Sequence, residues 1–294
     1  MLMIMDPSYR LIVEQKLREF LLEDARFSDV SSALIPESAR GKATIIAKES
    51  GIVCGLVEIE ALFDLLGCKL SPMKKDGDAV AKRDVVASVE GPVRAILLGE
   101  RTALNLLMHL SGVATRTREF QAIIEKERVN PRCKVAATRK TIPGLRAMEK
   151  RAVVIGGGDT HRWSLDDMVM LKDNHLAYFE NIETMIQQAK QATSFSKKIE
   201  VEVTSVDDAL KAARAGADII MLDNMPFDDM RKAVQQLDKA GLRNKIILES
   251  SGNVEAATLP QHAKTGVDWI STSAITLKAR PVDFSLELSA NRDE

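Results

Sequence analysis

Between residues 134 and 273 the chain alternates between short apolar runs and amphipathic helical segments, and every run closes on or carries a polar or charged group. Seven runs are read as strands: 134–137 before Thr138-Arg139-Lys140, 152–155 before three glycines and His161-Arg162, 168–171 before Lys172-Asp173-Asn174-His175, 199–203 with Glu202 inside it, 219–222 before Asp223-Asn224, 245–248 before Glu249-Ser250-Ser251-Gly252, and 267–270 before Ser271-Thr272-Ser273. Helices are expected over 182–192, 205–215, 227–240 and 254–263. Such alternation predicts right-handed βαβ units on a parallel sheet. Seven strands rather than eight predict an open or distorted α/β barrel. Its strand C-termini open on one face, where chemistry gathers.

The preceding half reads differently. Apolar spacing near 3.6 predicts a helix over 7–24. The runs at 43–48, 52–54, 68–70 and 85–89 are β-rich and are punctuated by Gly51, Gly55, Asp76-Gly77-Asp78 and Gly91-Pro92, the pattern of a small α+β domain. A long helix is expected over 95–126, kinked near Ser111-Gly112. The expected organisation is an N-terminal α+β sandwich domain with a linking helix (1–116), an open seven-stranded α/β barrel (117–280), and a segment (281–294) whose run at 282–288 returns to the first domain.

Composition narrows the partners. With 294 residues and 45% hydrophobic content the chain can build sizeable cores. A net charge of −1 and a pI near 6.5 provide no global basic field for nucleic acid or an anionic membrane, so anions must be held by local clusters. Cys54, Cys68 and Cys133 are odd in number and widely spaced, which reads as buried thiols in a reducing compartment. The apolar stretch at 1–5 is too short for a signal peptide or a span. A soluble cytoplasmic protein is expected.

The strand ends carry the candidate chemistry. Thr138, Arg139 and Lys140 put adjacent cations on opposite faces of one strand end, unless they form a solvated basic turn. Gly156-Gly157-Gly158 lets backbone amides approach an anion, and His161-Arg162 adds directed donors suited to a carboxylate. Lys172 closes a wholly apolar run and reads as a ligand group or as part of an ordinary cap. Glu202 and Asp223 are acids at successive strand ends, suited to Mg²⁺, to a developing positive charge, or to structural ion pairs; Glu200 points to the same side as Glu202, and the residues alone do not choose between them. Ser251 and Gly252, and Ser273 in the last loop, are read as preceding helix N-termini, where free amides suit a monophosphate.

Taken in order, Ala137-Thr138-Arg139-Lys140-Thr141-Ile142-Pro143-Gly144-Leu145-Arg146, Gly156-Gly157-Gly158 with His161-Arg162, Leu171-Lys172-Asp173-Asn174-His175 and Met221-Leu222-Asp223-Asn224-Met225 resemble the quinolinate phosphoribosyltransferase family over nearly the whole chain. The resemblance implies transfer of phosphoribosyl from phosphoribosyl pyrophosphate (PRPP) to quinolinate with Mg²⁺, release of pyrophosphate and carbon dioxide, and formation of nicotinate mononucleotide for NAD biosynthesis. It further implies that Arg139, His161, Arg162 and Lys172 hold the quinolinate carboxylates, with Lys140 against the phosphoribosyl group. Arg101 would enter from the partner in a homodimer or higher oligomer with a shared site, and Glu202 and Asp223 would face ribose and metal.

Both substrates are anionic, so several cations are needed: a close ion pair supplies about 4 kcal/mol at about 4 Å and an effective dielectric near 20, before desolvation. The chain departs from the family pattern at Ser273, where glycine is usual, at Thr160, where asparagine is frequent, at Leu277-Lys278 in place of His-Ser, and in the early motif Ser28-Asp29-Val30-Ser31-Ser32. Competing readings are a related phosphoribosyltransferase on another pyridine acid, a non-catalytic phosphate-binding barrel, and a barrel aldolase or synthase using Lys172 as a Schiff-base nucleophile.

Overall fold

The computed structural model describes residues 7–290, so the apolar stretch at 1–5 lies outside the described residues. In chain order the first elements are α1 (Pro7–Asp24), β1 (Arg40–Ala47), β2 (Gly51–Ile52), α2 (Leu56–Leu65), β3 (Lys69–Pro72), β4 (Ala79–Val80), β5 (Val85–Pro92) and α3 (Val93–Glu127). Then come β6 (Lys134–Ala136), α4 (Arg146–Ile155), β7 (Val169–Leu171), α5 (Asp173–Leu176), α6 (Ile182–Ala192), β8 (Ile199–Val203), α7 (Val206–Ala215), β9 (Ile219–Asp223), α8 (Phe227–Lys239), β10 (Ile247–Ser251), α9 (Leu259–Ala263), β11 (Trp269–Ser271) and β12 (Phe284–Ala290).

Two units divide the chain: 1–118, 142–157 and 278–294 form one, and 119–141 with 158–277 form the other. The segment 142–157, grouped with the barrel on sequence, belongs to the first. In that unit an antiparallel sheet runs β12-β1-β5-β3, with the C-terminal strand pairing along β1. Strand β1 shows period-two burial, with Gly41, Ala43, Ile45 and Ala47 inside. Helix α3 passes through Ser111-Gly112 as a single element. In the early motif, Asp29 accepts the backbone N–H groups of Ser31 and Ser32, a local turn cap.

Residues 152–155 are not a strand: they are the last turn of α4. The helix is buried nearly all round, and two of its charged residues, Arg151 and Glu149, pair with side chains of the same unit. Arg151 pairs with Glu58 (3.0 Å) and with Asp76, and Glu58 also accepts from Tyr9. Burial is the main cause that pushes the Tyr9 phenol and the Glu58 carboxyl above their ordinary pKa values. Glu149, fully buried, holds His109 Nε2 at 2.8 Å and accepts from the Ile142 N–H.

The glycines after α4 do not cradle an anion through the amides of 156 and 157, as had been expected. Gly156 and Gly157 donate to Ala152 and Val154 and end the helix. A Cβ on Gly156 would lie 2.5 Å from the Ala114 carbonyl oxygen, so glycine is needed for close packing on α3.

The second unit is built on a parallel sheet, β6-β11-β10-β9-β8-β7, six strands rather than seven among the described residues. The expected seventh strand is reduced to one bridge, Ala136 to Asp159, directly before His161-Arg162. The outward row, Val135, Leu171, Val201, Val203, Ile220, Leu222, Leu248 and Ile270, is buried. Helices α6–α8 add Ile186, Ala209, Ala212, Met230 and Leu237 to this core. Their starts are encoded locally: Asn181 caps α6 through the Thr184 N–H, and Ser205 caps α7 through the Asp208 N–H.

Candidate active site

Strand register decides which side chains meet. Met170, Glu200, Ile219 and Ile247 are successive Cα partners across β7, β8, β9 and β10. Two residues further on, Glu202, Met221, Glu249, Trp269 and Lys134 are partners across β8, β9, β10, β11 and β6. Partners share a face and residues two apart return to it, so Glu200, Glu202 and Glu249 lie on one face. Towards the C-terminal rim, the same rows lead to Thr138, Lys172, Asp223 and Ser251.

At the rim, Lys172 Nζ lies 2.5 Å from Glu202 Oε2. Asp223 Oδ2 accepts from the Asn224 side chain at 2.7 Å. Lys172 heads the four-residue α5, and its backbone N–H donates to His175 Nδ1, which makes His175 part of a cap. Arg139 and Arg162 are close enough to sense each other: burial first, then the Arg139 charge, lowers the Arg162 pKa from its ordinary value. Thr138 Oγ1 accepts the Lys140 N–H, and Thr276 Oγ1 donates to the Lys140 carbonyl, so the last loop braces the first. Arg101 is exposed on α3 in the other unit.

Below the rim sits a group that the sequence reading did not assemble. His161 Nε2 is 3.1 Å from Glu249 Oε2 and 3.4 Å from Glu200 Oε2, with the two acids 2% and 0% exposed. Burial opposes charge on the ring, but the bonds to Glu200 and Glu249 outweigh it and push the His161 pKa up to about 10. Burial, and then the Glu249 charge, raise the Glu200 pKa. The Arg162 N–H donates to His161 Nδ1 at 2.7 Å, an opposing influence because it needs a lone pair there. The carboxylates keep the Nε2 proton in place, and both ring nitrogens are engaged within the protein. An Nε2–H already engaged by Glu249 beside Glu200 does not present a metal ligand, although His161, Glu200 and Glu249 lie close enough to hold an ion. Glu249 was read as part of a polar cluster after a strand at 245–248; the strand is Ile247–Ser251, and the acid is inside it.

The two loops expected to open into helix N-termini do not. After β10, turns run to α9, which begins only at Leu259, and residues 274–278 after β11 are turns. The backbone between them is tightly packed. Gly252 has φ +93°, and a Cβ there would fall 2.3 Å from Asn224 Oδ1. Asn224 also donates its N–H to the Ser251 carbonyl and accepts from Asn253. Ser273 is half-buried, and its carbonyl accepts the Leu277 N–H. Ser250 points away from this face and binds His262 Nδ1 at 2.7 Å, both buried.

A parallel α/β sheet whose strand C-termini gather arginines, lysines and carboxylates on one rim defines a barrel enzyme for anionic substrates. The family model for the N-terminal domain of quinolinate phosphoribosyl transferase matches residues 29–111, and that for the C-terminal domain matches 113–287. A probable nicotinate-nucleotide pyrophosphorylase [carboxylating] from Methanothermobacter thermautotrophicus is 44% identical over 274 residues, spanning 92% of this chain and 97% of that protein. The nicotinate-nucleotide pyrophosphorylase [carboxylating] of Rattus norvegicus is 38% identical over 262 residues, 89% and 86% of the two chains. The crystal structure of NadC from Streptococcus pyogenes aligns with a TM-score of 0.89 at 36% identity over 95% and 97%. The chain belongs to the quinolinate phosphoribosyltransferase family.

Among the described residues no helix is long and apolar enough to cross a membrane. Cys54, Cys68 and Cys133 are free and buried.

Proposed function

We propose that this chain transfers phosphoribosyl from PRPP to quinolinate and decarboxylates the adduct to nicotinate mononucleotide, in NAD biosynthesis. The observation that carries the reading is the match of both family domains across the chain, coinciding with Arg139, Arg162 and Lys172 on one rim above Glu202. The quinolinate nitrogen attacks C1 of the ribose, and the bond to pyrophosphate breaks with its electron pair leaving on oxygen. Positive charge developing on the ribose ring is stabilised by the fixed carboxylates of Glu202 and Asp223. Ribosylation makes the pyridine nitrogen cationic. The carbon–carbon bond to the adjacent carboxylate then breaks, its electrons stay beside the cationic nitrogen, and that carbon takes up a proton.

Arg139, Arg162 and Lys172 match the dianionic acceptor. Lys140 lies towards the sugar phosphate, with Thr138, Ser251, Gly252 and Ser273 supplying further donors. Glu202 and Asp223 are hard oxygen donors of the kind Mg²⁺ takes, together with substrate phosphates and water, and would hold the ion, which would supply neutralisation of pyrophosphate charge. Arg101, exposed on α3, serves the site of a second copy in a homodimer, and the protein works in the cytoplasm. Incubation with PRPP and Mg²⁺, with quinolinate and nicotinate as parallel acceptors, tests the reading. Product from quinolinate supports it, and product from nicotinate alone assigns the protein to a sibling activity.

A further inference from the structure

We propose that Glu249 and Glu200 are positioning residues for the acceptor site: together they hold the His161 ring from beneath, and His161 in turn fixes the backbone of Arg162. The inference rests on the proposed function.

Three observations lead to it. The two acids lie within the sheet: Glu249 Oε2 takes the His161 Nε2 hydrogen bond and Glu200 Oε2 lies 3.4 Å from the same nitrogen, yet Glu249 Oε1 has no hydrogen-bond partner and neither does either oxygen of Glu200. Buried carboxylates with unmet hydrogen bonds are costly to the fold, so stability does not explain a pair of them. Next, His161 sits at φ +53°, a left-handed conformation unfavourable for a residue with a Cβ, which persists only where its surroundings over-determine it. Glu249 and Glu200 below, and the Arg162 N–H on Nδ1, are the restraints that do so.

The consequence appears one residue on. Arg162 extends over the same face, where its Nη2 lies 3.1 Å from the Met170 sulfur, and Met170 is the register partner of Glu200. The guanidinium is therefore aimed by a chain of contacts running from Glu249 and Glu200 through the imidazole to the Arg162 backbone. Glu249 also lines a cavity of about 340 Å³ with Asp159, Lys198, Ile247 and Trp269. A group that acts on the acceptor's cations alone should leave the sugar-phosphate side untouched.

Steady-state kinetics on the full chain separate this role from a merely structural one. Glu249→Leu should raise the quinolinate KM about tenfold while the PRPP KM stays within about twofold, because a small misplacement of one orienting group is felt by the ligand it orients. Glu249→Gln, which keeps an acceptor for Nε2–H, should recover most of the loss. The ¹⁵N signals of His161 should show the ring holding its charge to higher pH in the parent than in the Leu variant, because Glu249 is one of the groups that raise its pKa. If the Leu variant does not fold, Glu249→Asp withdraws the carboxylate by one methylene and carries the same comparison. An unchanged quinolinate KM in a folded Leu or Asp variant, or equal rises in both KM values, overturns the proposal. A parent protein inactive on quinolinate would remove the functional reading itself.

Discussion

Lys172 and Glu202 face each other from neighbouring strand ends, β7 and β8, with the ammonium 2.5 Å from one carboxylate oxygen. The lysine side chain is 42% exposed and the acid 13%, so the pair sits at the mouth of the site with one partner reaching for solvent. In the proposed reaction an ammonium held this way would turn to a substrate carboxylate while Glu202 would face the ribose. Lys172→Ala should raise the quinolinate KM about tenfold or more, and Glu202→Ala should lower kcat more than it changes that KM. The double variant should cost less than the sum of the two single losses, because residues in direct contact do not act independently. Initial-rate kinetics on the four proteins check this.

The proposed phosphate side has a distinctive backbone shape. Gly252, at φ +93°, passes beside Asn224 with no room for a Cβ, and Asn224 itself has φ +50°. Gly252→Ala should cost about 1–3 kcal/mol of stability and raise the PRPP KM while the quinolinate KM changes little. Thermal unfolding and paired KM measurements read both.

The buried network on α4 makes a stability prediction far from the rim. Arg151, with a side chain 2% exposed, neutralises Glu58 and Asp76 together. Arg151→Met keeps the volume and strands two acids, and should destabilise the protein by about 3–5 kcal/mol. A denaturant unfolding midpoint that does not move would contradict the network's role.

How far the sequence was legible follows from these residues. Apolar patterning placed most of the strands and the helices over 7–24, 93–127, 182–192, 206–215 and 227–239 but missed those at 56–65, 146–155 and 173–176, and the rim cations were readable because charged residues directly after apolar runs fall at strand ends. The run at 152–155 misled because four apolar residues fit a strand or a buried helix turn equally well. The charged residues Glu149, Lys150 and Arg151 before it, all buried, masked a helix in which Glu149 and Arg151 pair with other side chains. The Glu249–His161–Glu200 group was invisible for a related reason. Acids inside strands break the apolar pattern, so Glu249 was read as a loop residue, and only the register brings it beneath His161. The Asn224–Gly252 contact joins neighbouring loops across β9 and β10 and has no local signature.

His262 provides a pH prediction. Burial lowers its pKa to about 4, and the neutral ring accepts from, or donates to, the Ser250 hydroxyl while meeting Phe227 edge-on at 4.8 Å between centroids. With an unfolded-state value near 6.5, the unfolded chain binds the extra proton between pH 6.5 and 4. Its contribution to stability is therefore complete above about pH 6.5 and is lost as pH falls towards 4, by about 3 kcal/mol in all. His262→Leu should flatten that part of the stability–pH curve, as urea unfolding at a series of pH values would show.

The central claim is most directly tested by supplying PRPP, Mg²⁺ and quinolinate labelled in one carboxyl group at a time, and counting label in carbon dioxide against nicotinate mononucleotide formed. One mole of labelled carbon dioxide per mole of product from the carboxyl beside the ring nitrogen, and none from the other, is the predicted result. Nucleotide formed without carbon dioxide, or no nucleotide from a folded protein at saturating substrates, would contradict it.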